Sequence, residues 1–573
     1  MYTDLYEEWS KSAILKPSEK KELSQIQDND KEIEYRFGKD LEFGTAGMRG
    51  IIGMGTNMMN VYTVKRASQG LAEYIKKRGP VAKLRGVAIS YDTRKFSKEF
   101  ASAAAVVLAS NKIRVYLFEH VHPVPMLSYA VRDLNCVAGI MITASHNPKE
   151  YNGYKVYGED GAQMSPEATA KVVKYIEQIQ SPLSDKIPYS KKLALKYVKF
   201  IGKRLDKRYY NEIKKLVLSP EETAEVGKDV KLVYTPVHGS GFVPVMTILK
   251  KLGIKVSVVQ EQENEDAEFS TVEVPNPEYK ETLSLAISQA NAEGADVVFG
   301  TDPDCDRLGV AIRDGSGDFM ALSGNQTGIL LLDYILGRLK KKGELNKKCF
   351  VVKSVVSTSL AKLIADDYKV EMMEVPVGFK FIGEKIKKLD DTGKRRFLFG
   401  FEESCGYLRG THARDKDAVV ASMLFAEMVC FYTAHGIKVY DRLQQIYEKY
   451  GYVCDKSVST VYGGLNAMRD MNAVVDAMKE KKIGSVGGIK VIAKRDYSTL
   501  TRTEGDKTTK INSSAVNALY YELEGGGFIC LRPSGTEPKL KVYYSLTGKN
   551  KADAEARFAS VKSEFEEIMK KQG

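Results

Sequence analysis

Thr143-Ala144-Ser145-His146-Asn147-Pro148 follows the short apolar, β-branched run from Val137 to Thr143. Such a run reads as a buried strand, and a hydroxyl just past its end stands where α/β sheets place their chemistry. By itself, Ser145-His146-Asn147-Pro148 also fits a turn that caps a helix. The choice between these readings rests on the rest of the chain. Another apolar run, Val297-Val298-Phe299-Gly300, leads to Asp302-Pro303-Asp304-Cys305-Asp306-Arg307. Three carboxylates within five residues repel one another unless a cation neutralises them, and hard oxygen ligands favour magnesium. An EF-hand is excluded, because Arg307 stands where its glycine is required and Arg313 where its glutamate is required. A dehalogenase-type aspartyl nucleophile would use a similar loop, but the separate Ser145 segment argues against it. Together the two segments point to a serine that carries a phosphoryl group beside a carboxylate-bound metal.

Outward from these segments, the pattern strand, helix, strand occurs three times. Its members are Gly86–Ile89, Ser97–Asn111 and Val115–Phe118; Lys231–Tyr234, Val243–Leu252 and Val256–Val259; and Phe350–Val352, Thr358–Tyr368 and Val370–Val375. Right-handed βαβ units follow, hence mixed, largely parallel sheets. The C-terminal stretch differs. Ala515–Glu524, Phe528–Leu531 and Leu540–Leu546 read as strands, and a closing helix places Phe558, Val561, Phe565 and Met569 on one face. The fold class is therefore α/β, with three repeated α/β modules and a smaller C-terminal α+β domain. Expected domains are 1–215, 216–325, 326–455 and 456–573, and 573 residues exceed what one core can organise.

Two further loops are candidates for substrate binding. Arg532-Pro533-Ser534-Gly535-Thr536-Glu537-Pro538-Lys539 lies between two strands and offers a guanidinium, hydroxyls and glycine-freed amides to a phosphate. It is not a Walker loop, and alone it also fits a hairpin turn. In Gly400-Phe401-Glu402-Glu403-Ser404-Cys405-Gly406, Glu402 and Ser404 point to one side of an extended loop and suit neighbouring sugar hydroxyls. Lys416, within Arg414-Asp415-Lys416-Asp417, reads on spacing alone as a surface ion pair.

Composition narrows the class. Hydrophobic residues at 43% and charged residues at 28% indicate a globular chain. No apolar run approaches a membrane span of ~20 residues, and Ala418–Ala434, interrupted by Ser422 and Glu427, reads as a buried helix. The first residues carry Asp4, Glu7 and Glu8 and resemble no secretory signal. Seven scattered cysteines without CxxC spacing fit free thiols in a reducing cytoplasm. A net charge of +12 with a single tryptophan and no recognition motif argues against nucleic acid and favours small phosphorylated partners.

The four loops in this order, spanning about Leu41 to Tyr544, resemble the α-D-phosphohexomutases. Ser145 and the following Asn152-Gly153-Tyr154-Lys155 look like that family's phosphoserine loop, and Asp302–Arg307 like its magnesium loop. Glu402 and Ser404 look like its sugar loop, and Arg532–Thr536 like its phosphate loop. Phe43-Gly44-Thr45-Ala46-Gly47-Met48-Arg49-Gly50 is worded like the family's bacterial glucose-phosphate and pentose-phosphate mutase branches. The resemblance implies four domains around a central active-site cleft. It also implies reversible conversion of glucose 1-phosphate and glucose 6-phosphate through glucose 1,6-bisphosphate. Mg²⁺ would be held by Asp302, Asp304, Asp306 and an oxygen on Ser145. Lys155 and His146 would stand at the reacting centre, His146 as either a proton-transfer or a structural residue. Arg49 and Arg307 would contact substrate there, and Lys380 is a further substrate candidate. Arg532, Ser534, Gly535 and Thr536, assisted by Lys416, would hold the phosphate that is not reacting. Pentose or mannose phosphates remain open as substrates, as do phosphohydrolase activity and a sugar-phosphate-binding regulator without turnover. Cys305 and Cys405 depart from the pattern.

Overall fold

A computed structural model describes residues 1–44, 47–463, 466–534 and 538–571. The chain divides into two compact units: Met1–Ala321 with Gly406–Phe431, and Leu322–Cys405 with Tyr432–Gly573.

The first unit holds two mixed sheets. In the seven-stranded one the order is Phe43–Gly44, Gly47–Ile51, Tyr151–Gly158, Ala138–Ile142, Val87–Tyr91, Val115–Phe118 and Val198–Ile201. The last four strands run parallel, and the others are antiparallel. Val87–Tyr91 and Ala138–Ile142 are buried along their whole length because helices cover both faces, which accounts for their unbroken apolar sequence. The second sheet centres on Val297–Thr301, which runs parallel to Leu232–Thr235 and antiparallel to Leu308–Arg313. Ser145 and Asp302 each lie just past the end of a central, fully buried strand. The helix-cap reading of Ser145-His146-Asn147-Pro148 is corrected: the segment turns and enters the strand Tyr151–Gly158.

Two glycines are required by close approach. A Cβ on Gly47, whose φ is +126°, would lie 1.9 Å from the Tyr154 carbonyl oxygen, and one on Gly153 would lie 2.5 Å from that of Thr143. Both let the strand that carries Arg49 and the strand that carries Lys155 pack tightly under the Ser145 turn. Ala418–Phe431 belongs to a helix that is buried as its composition implies. Its one acid, Glu427, accepts hydrogen bonds at Oε1 from the amides of Leu218 and Ser219 at 2.6 Å each, which tie this buried carboxylate oxygen to the backbone.

The second unit contains the parallel strands Glu371–Val375, Cys349–Ser354 and Arg396–Glu402. Its C-terminal part is an antiparallel sheet, from Tyr452–Val461 through Lys539–Gly548, Phe528–Pro533, Leu519–Leu523 and Ile489–Asp496 to Thr501–Glu504 and Lys507–Lys510. The helix Lys551–Lys570 buries Val561 and Phe565 against it, with Phe558 and Met569 half-buried alongside. The strand expected over Ala515–Glu524 is only Leu519–Leu523. Ser513, Ser514 and Asn517 favour turns, and Val516 leaves the ladder to donate to the Tyr497 carbonyl at 3.1 Å. The hairpin Thr501–Glu504 with Lys507–Lys510 escaped the sequence reading because both strands are polar and the second is fully exposed.

Three N-terminal helices, Tyr2–Lys11, Pro17–Ser24 and Asp30–Phe37, fold onto the first sheet's helix Val61–Lys77. Their anchor is Trp9, the chain's only tryptophan and fully buried. It meets Phe37 and Tyr62 edge-on at centroid distances of 5.7 and 5.6 Å. Trp9→Ala should destabilise this segment by about 3–5 kcal/mol. The check is hydrogen exchange: amides of residues 2–37 should lose protection while those of Val87–Tyr91 keep theirs.

Candidate active site

Ser145 adopts a left-handed backbone, φ 55°, which a residue with a Cβ takes only when its surroundings impose it. Those surroundings are a buried network behind the turn. Thr143 accepts the Ser145 amide at 2.8 Å and donates its own hydroxyl to Asp92 at 2.6 Å. The Arg94 guanidinium donates to the carbonyls of Ser145, Asn147, Pro148 and Tyr151 at 2.6, 2.5, 2.8 and 3.1 Å. Asp92 faces Arg94 at 3.4 Å. Burial pushes the Asp92 carboxyl up and the Arg94 guanidinium down, and each partly restores the other. Neither residue was singled out from the sequence. The available signal was Asp92-Thr93-Arg94 just past the strand Val87–Tyr91, the same strand-end position that marked Ser145 and Asp302.

The Ser145 hydroxyl donates to Asp302 Oδ2 at 3.1 Å and lies 3.2 Å from His146 Nδ1. Burial, reinforced by Arg307 and Arg49, holds the His146 imidazole well below its ordinary value, so it is neutral at physiological pH. Around them a cavity of about 220 Å³ is lined by Arg49, Lys155, Gln163, Asp306, Arg307 and Lys416 together with Ser145 and His146. Arg49 donates to Asn147 Oδ1 at 2.8 Å, and Arg307 pairs with Glu278 at 3.1 Å.

Asp302, Asp304 and Asp306 are all buried, and one oxygen from each lies within 4.8 Å of the others. The amides of Asp306 and Arg307 bind Asp302 Oδ1 at 3.0 and 2.9 Å. Lys155 pairs with Asp304 at 2.8 Å, and Lys416 with Asp306 at 3.1 Å. Burial and the neighbouring Asp304 and Asp306 raise the Asp302 carboxyl well above the carboxylate range. Burial also opposes charge on Asp304, but Lys155 overrides it and lowers that carboxyl. Asp306 is raised by burial and Asp304, with Lys416 and Lys155 opposing. Two carboxylate oxygens, Asp304 Oδ1 and Asp306 Oδ1, are buried without a hydrogen-bond partner among the described residues. Buried acceptors left in this way fit a hard divalent cation. Cys305 takes the left-handed turn of this loop, φ 50°, and its thiol is fully buried.

Lys416 is a correction to the sequence reading. It is buried, not a surface pair, and it bridges Asp306 and Asp415. Asp415 in turn accepts from Tyr157 at 3.0 Å and Gln163 at 3.3 Å. Tyr157 follows Lys155 by two positions on one strand, so alternation puts both on the same face.

In the second unit, Glu402 is buried at the end of the strand Arg396–Glu402, and Ser404 is half-buried before Cys405, whose φ is 59°. Glu403 accepts from Ser354 at 2.8 Å. Arg532 is the penultimate residue of the strand Phe528–Pro533, and the Ser534 amide donates to the Lys539 carbonyl at 2.8 Å. Burial lowers the half-buried Lys380 ammonium; Glu384 opposes that shift and Arg532 adds to it, so Lys380 and Arg532 share one electrostatic neighbourhood. Gly535 and Thr536 lie outside the described residues.

With this geometry established, comparison with known proteins is decisive. Models of the phosphoglucomutase/phosphomannomutase α/β/α domains I, II and III match residues 40–183, 207–315 and 323–450. The chain belongs to the phosphoglucomutase/phosphomannomutase family. A phosphoglucomutase of Staphylococcus haemolyticus is 38% identical over 90% of this chain and 92% of its own length. A phosphoglucomutase/phosphomannomutase family protein of Burkholderia thailandensis shares the fold, with a TM-score of 0.67 at 16% identity over 92% of this chain and 97% of its own. An N-acetylphosphoglucosamine mutase of Aspergillus fumigatus, solved with GlcNAc-6P and magnesium, has a TM-score of 0.51 at 14% identity, over 98% of this chain and all of its own. The chain is accordingly an enzyme, a phosphohexomutase within the isomerases. Among the described residues no single helix is long and apolar enough to cross a membrane.

Arg94→Lys keeps the charge but loses the fork that serves four carbonyls. It should lower kcat/KM about 10- to 100-fold, about 1.4–2.7 kcal/mol. Because Arg94 acts through the turn, exchange of the amides from Ser145 to Tyr151 should rise in parallel. A fall in activity without increased exchange would refute the positioning role.

Proposed function

We propose that this mutase interconverts glucose 1-phosphate and glucose 6-phosphate in the cytoplasm, with Ser145 as the phosphoryl carrier. The observation that carries the reading is Ser145 itself: a hydroxyl held in a strained turn, 3.1 Å from one member of a buried three-carboxylate cluster. The name of the Staphylococcus haemolyticus relative supports glucose as the sugar.

In this reading, phosphorylated Ser145 gives its phosphoryl group to the free hydroxyl of the substrate. The serine oxygen keeps the electrons of the broken P–O bond, and glucose 1,6-bisphosphate forms. The bisphosphate then returns its other phosphoryl group to Ser145. Neutral His146, beside Ser145, can accept a proton. Lys155, ion-paired to Asp304, stands at the same cavity and is the second proton-transfer candidate. Arg49 and Arg307 line the cavity and neutralise phosphate charge. Asp302, Asp304 and Asp306, with an oxygen on Ser145, would hold Mg²⁺, the metal named for the Aspergillus structure. When bound it offsets negative charge on the transferring group. Lys416, anchored by Asp415, keeps Asp306 in place and assists with the substrate phosphate.

We assign the sugar hydroxyls to Glu402 and Ser404. The phosphate that is not reacting is assigned to Arg532, Ser534, Gly535 and Thr536, with Lys380 as a further substrate contact. The same reading keeps the division into domains 1–215, 216–325, 326–455 and 456–573.

A coupled assay with and without added glucose 1,6-bisphosphate, run on glucose, mannose and ribose 1-phosphates, tests the reading. Glucose 1-phosphate should give the highest kcat/KM; release of free phosphate without isomerisation would overturn it. Ser145→Ala should lose several orders of magnitude in kcat while remaining folded. Mass spectrometry of the wild type should show an increment of about 80 Da on the Ser145 peptide. Near-wild-type turnover without Ser145 would exclude it as the carrier.

Asp304→Asn removes one anionic ligand at almost constant shape. Mg²⁺ titration of this variant should show a weakened half-saturation and only partial recovery of activity at high metal. Full wild-type activity in excess chelator would remove the metal from the scheme.

A further inference from the structure

The strands Val87–Tyr91, Val115–Phe118 and Val198–Ile201 run parallel, so their carboxyl ends and their amino ends lie on opposite sides of the sheet. The carboxyl ends lead toward Asp92, Arg94 and the Ser145 turn. The amino ends meet a different cavity of about 500 Å³, a volume within the range of small-molecule sites. Its lining holds five cations and no carboxylate. Lys83, Lys112 and Arg114 come from the segments that precede the inner strands. Lys196 and Lys199 come from the helix Lys191–Tyr197 and the edge strand. Two half-buried tyrosines, Tyr116 and Tyr197, complete the walls.

Among the described residues none of these five cations forms an ion pair; Lys83 is half-buried and the other four are exposed around the same space. Like charges gathered around one space repel unless an anion fills it. A lysine on an edge strand serves to block pairing with another chain, which accounts for Lys199. It does not account for Lys83, Lys112 and Arg114, which lie off the edge and line the same space. Residues 184–206, which supply Lys196, Tyr197 and Lys199, fall between the first two stretches matched to the family.

We infer that this cavity is a second ligand site, built for a molecule bearing two or more phosphate groups and separate from the reaction site. Two sources present that chemistry. One is a soluble polyphosphorylated compound. The other is the headgroup of a phosphoinositide, for which Leu195 and Phe200, 89% and 64% exposed on the same helix and strand, would rest on the lipid.

The test uses the full chain at about 0.15 M salt, with saturating glucose 6-phosphate to fill the reaction site. Calorimetric titration with inorganic tripolyphosphate should show one site per chain. Lys112→Ala/Arg114→Ala/Lys199→Ala should weaken it by at least ~30-fold and leave mutase kcat/KM unchanged. Lys340→Ala/Lys341→Ala/Lys342→Ala removes the same charge elsewhere and should leave the affinity unchanged. No loss in the pocket variant, or equal loss in both variants, overturns the inference. Lys112→Gln/Lys199→Gln, both at exposed positions, should move affinity in the same direction and serves if the triple variant fails to fold. Sedimentation with phosphatidylcholine vesicles, with and without phosphatidylinositol 4,5-bisphosphate, separates the sources. Vesicle binding lost in the pocket variant identifies the headgroup, and tripolyphosphate binding without vesicle binding identifies a soluble ligand. Binding of neither probe overturns the site.

Discussion

Repulsion among Asp302, Asp304 and Asp306 is the constraint around which the first unit is organised. Three buried carboxylates within 4.8 Å of one another are costly: two unit charges 4 Å apart repel by about 4 kcal/mol even at an effective dielectric constant near 20. The chain answers with position and not with solvent. Lys155 arrives from the strand that follows the Ser145 turn, and Lys416 from a segment more than a hundred residues downstream of the loop. Amides of the loop itself bind Asp302. The balance remains incomplete, and the orphaned oxygens of Asp304 and Asp306 face that deficit. An acidic cluster stabilised only in part is what a cation site requires, since full neutralisation by lysine would leave nothing for a metal to bind.

The loops are built around strained turns. Ser145, Cys305 and Cys405 all have left-handed backbones, each costing on the order of 1 kcal/mol for a side chain other than glycine. At Ser145 the strain is held by the Arg94 fork and by Thr143. At Cys305 the two preceding carbonyls are held as well: the Ser240 amide binds that of Pro303, and the Val124 amide binds that of Asp304. Cys305 and Cys405, the two departures from the family wording, therefore occupy corresponding conformational roles in two different loops. Both are buried small side chains packed inside the turn, with no evident chemistry of their own. Burial raises the Cys305 thiol well above its ordinary value, and Asp302 and Asp417 add to the rise.

Much of this was legible in the residues. Ser145 and the aspartate loop stood out because each followed an unbroken apolar strand, and a fully buried strand admits no polar residue until it ends. The repeated strand, helix and strand pattern likewise located the three α/β modules. Arg94 and Asp92 were missed because their partners, carbonyls for Arg94 and the Thr143 hydroxyl for Asp92, lie some fifty residues away in the chain, which no local pattern records. Lys416 was misread because a charged tetrapeptide has the same spacing whether it lies on the surface or in the core. The polar hairpin at Thr501–Lys510 was missed because exposed strands carry no hydrophobic alternation.

The sequence by itself determined which chemistry was available: a serine, a triple-aspartate loop and the cation Arg532, each placed near the end of a strand by the periodicity of buried residues. That follows from local physics, since burial on a strand dictates apolar side chains and strand ends release polar ones. Only the tertiary structure decided which charges meet. It took Lys155 and Lys416 to the aspartates, folded Arg94 beneath the Ser145 turn, and left five cations around a second cavity with no acid paired to them among the described residues. Electrostatic energy depends on distance in space and on burial. The chain sets neither until its sheets are assembled.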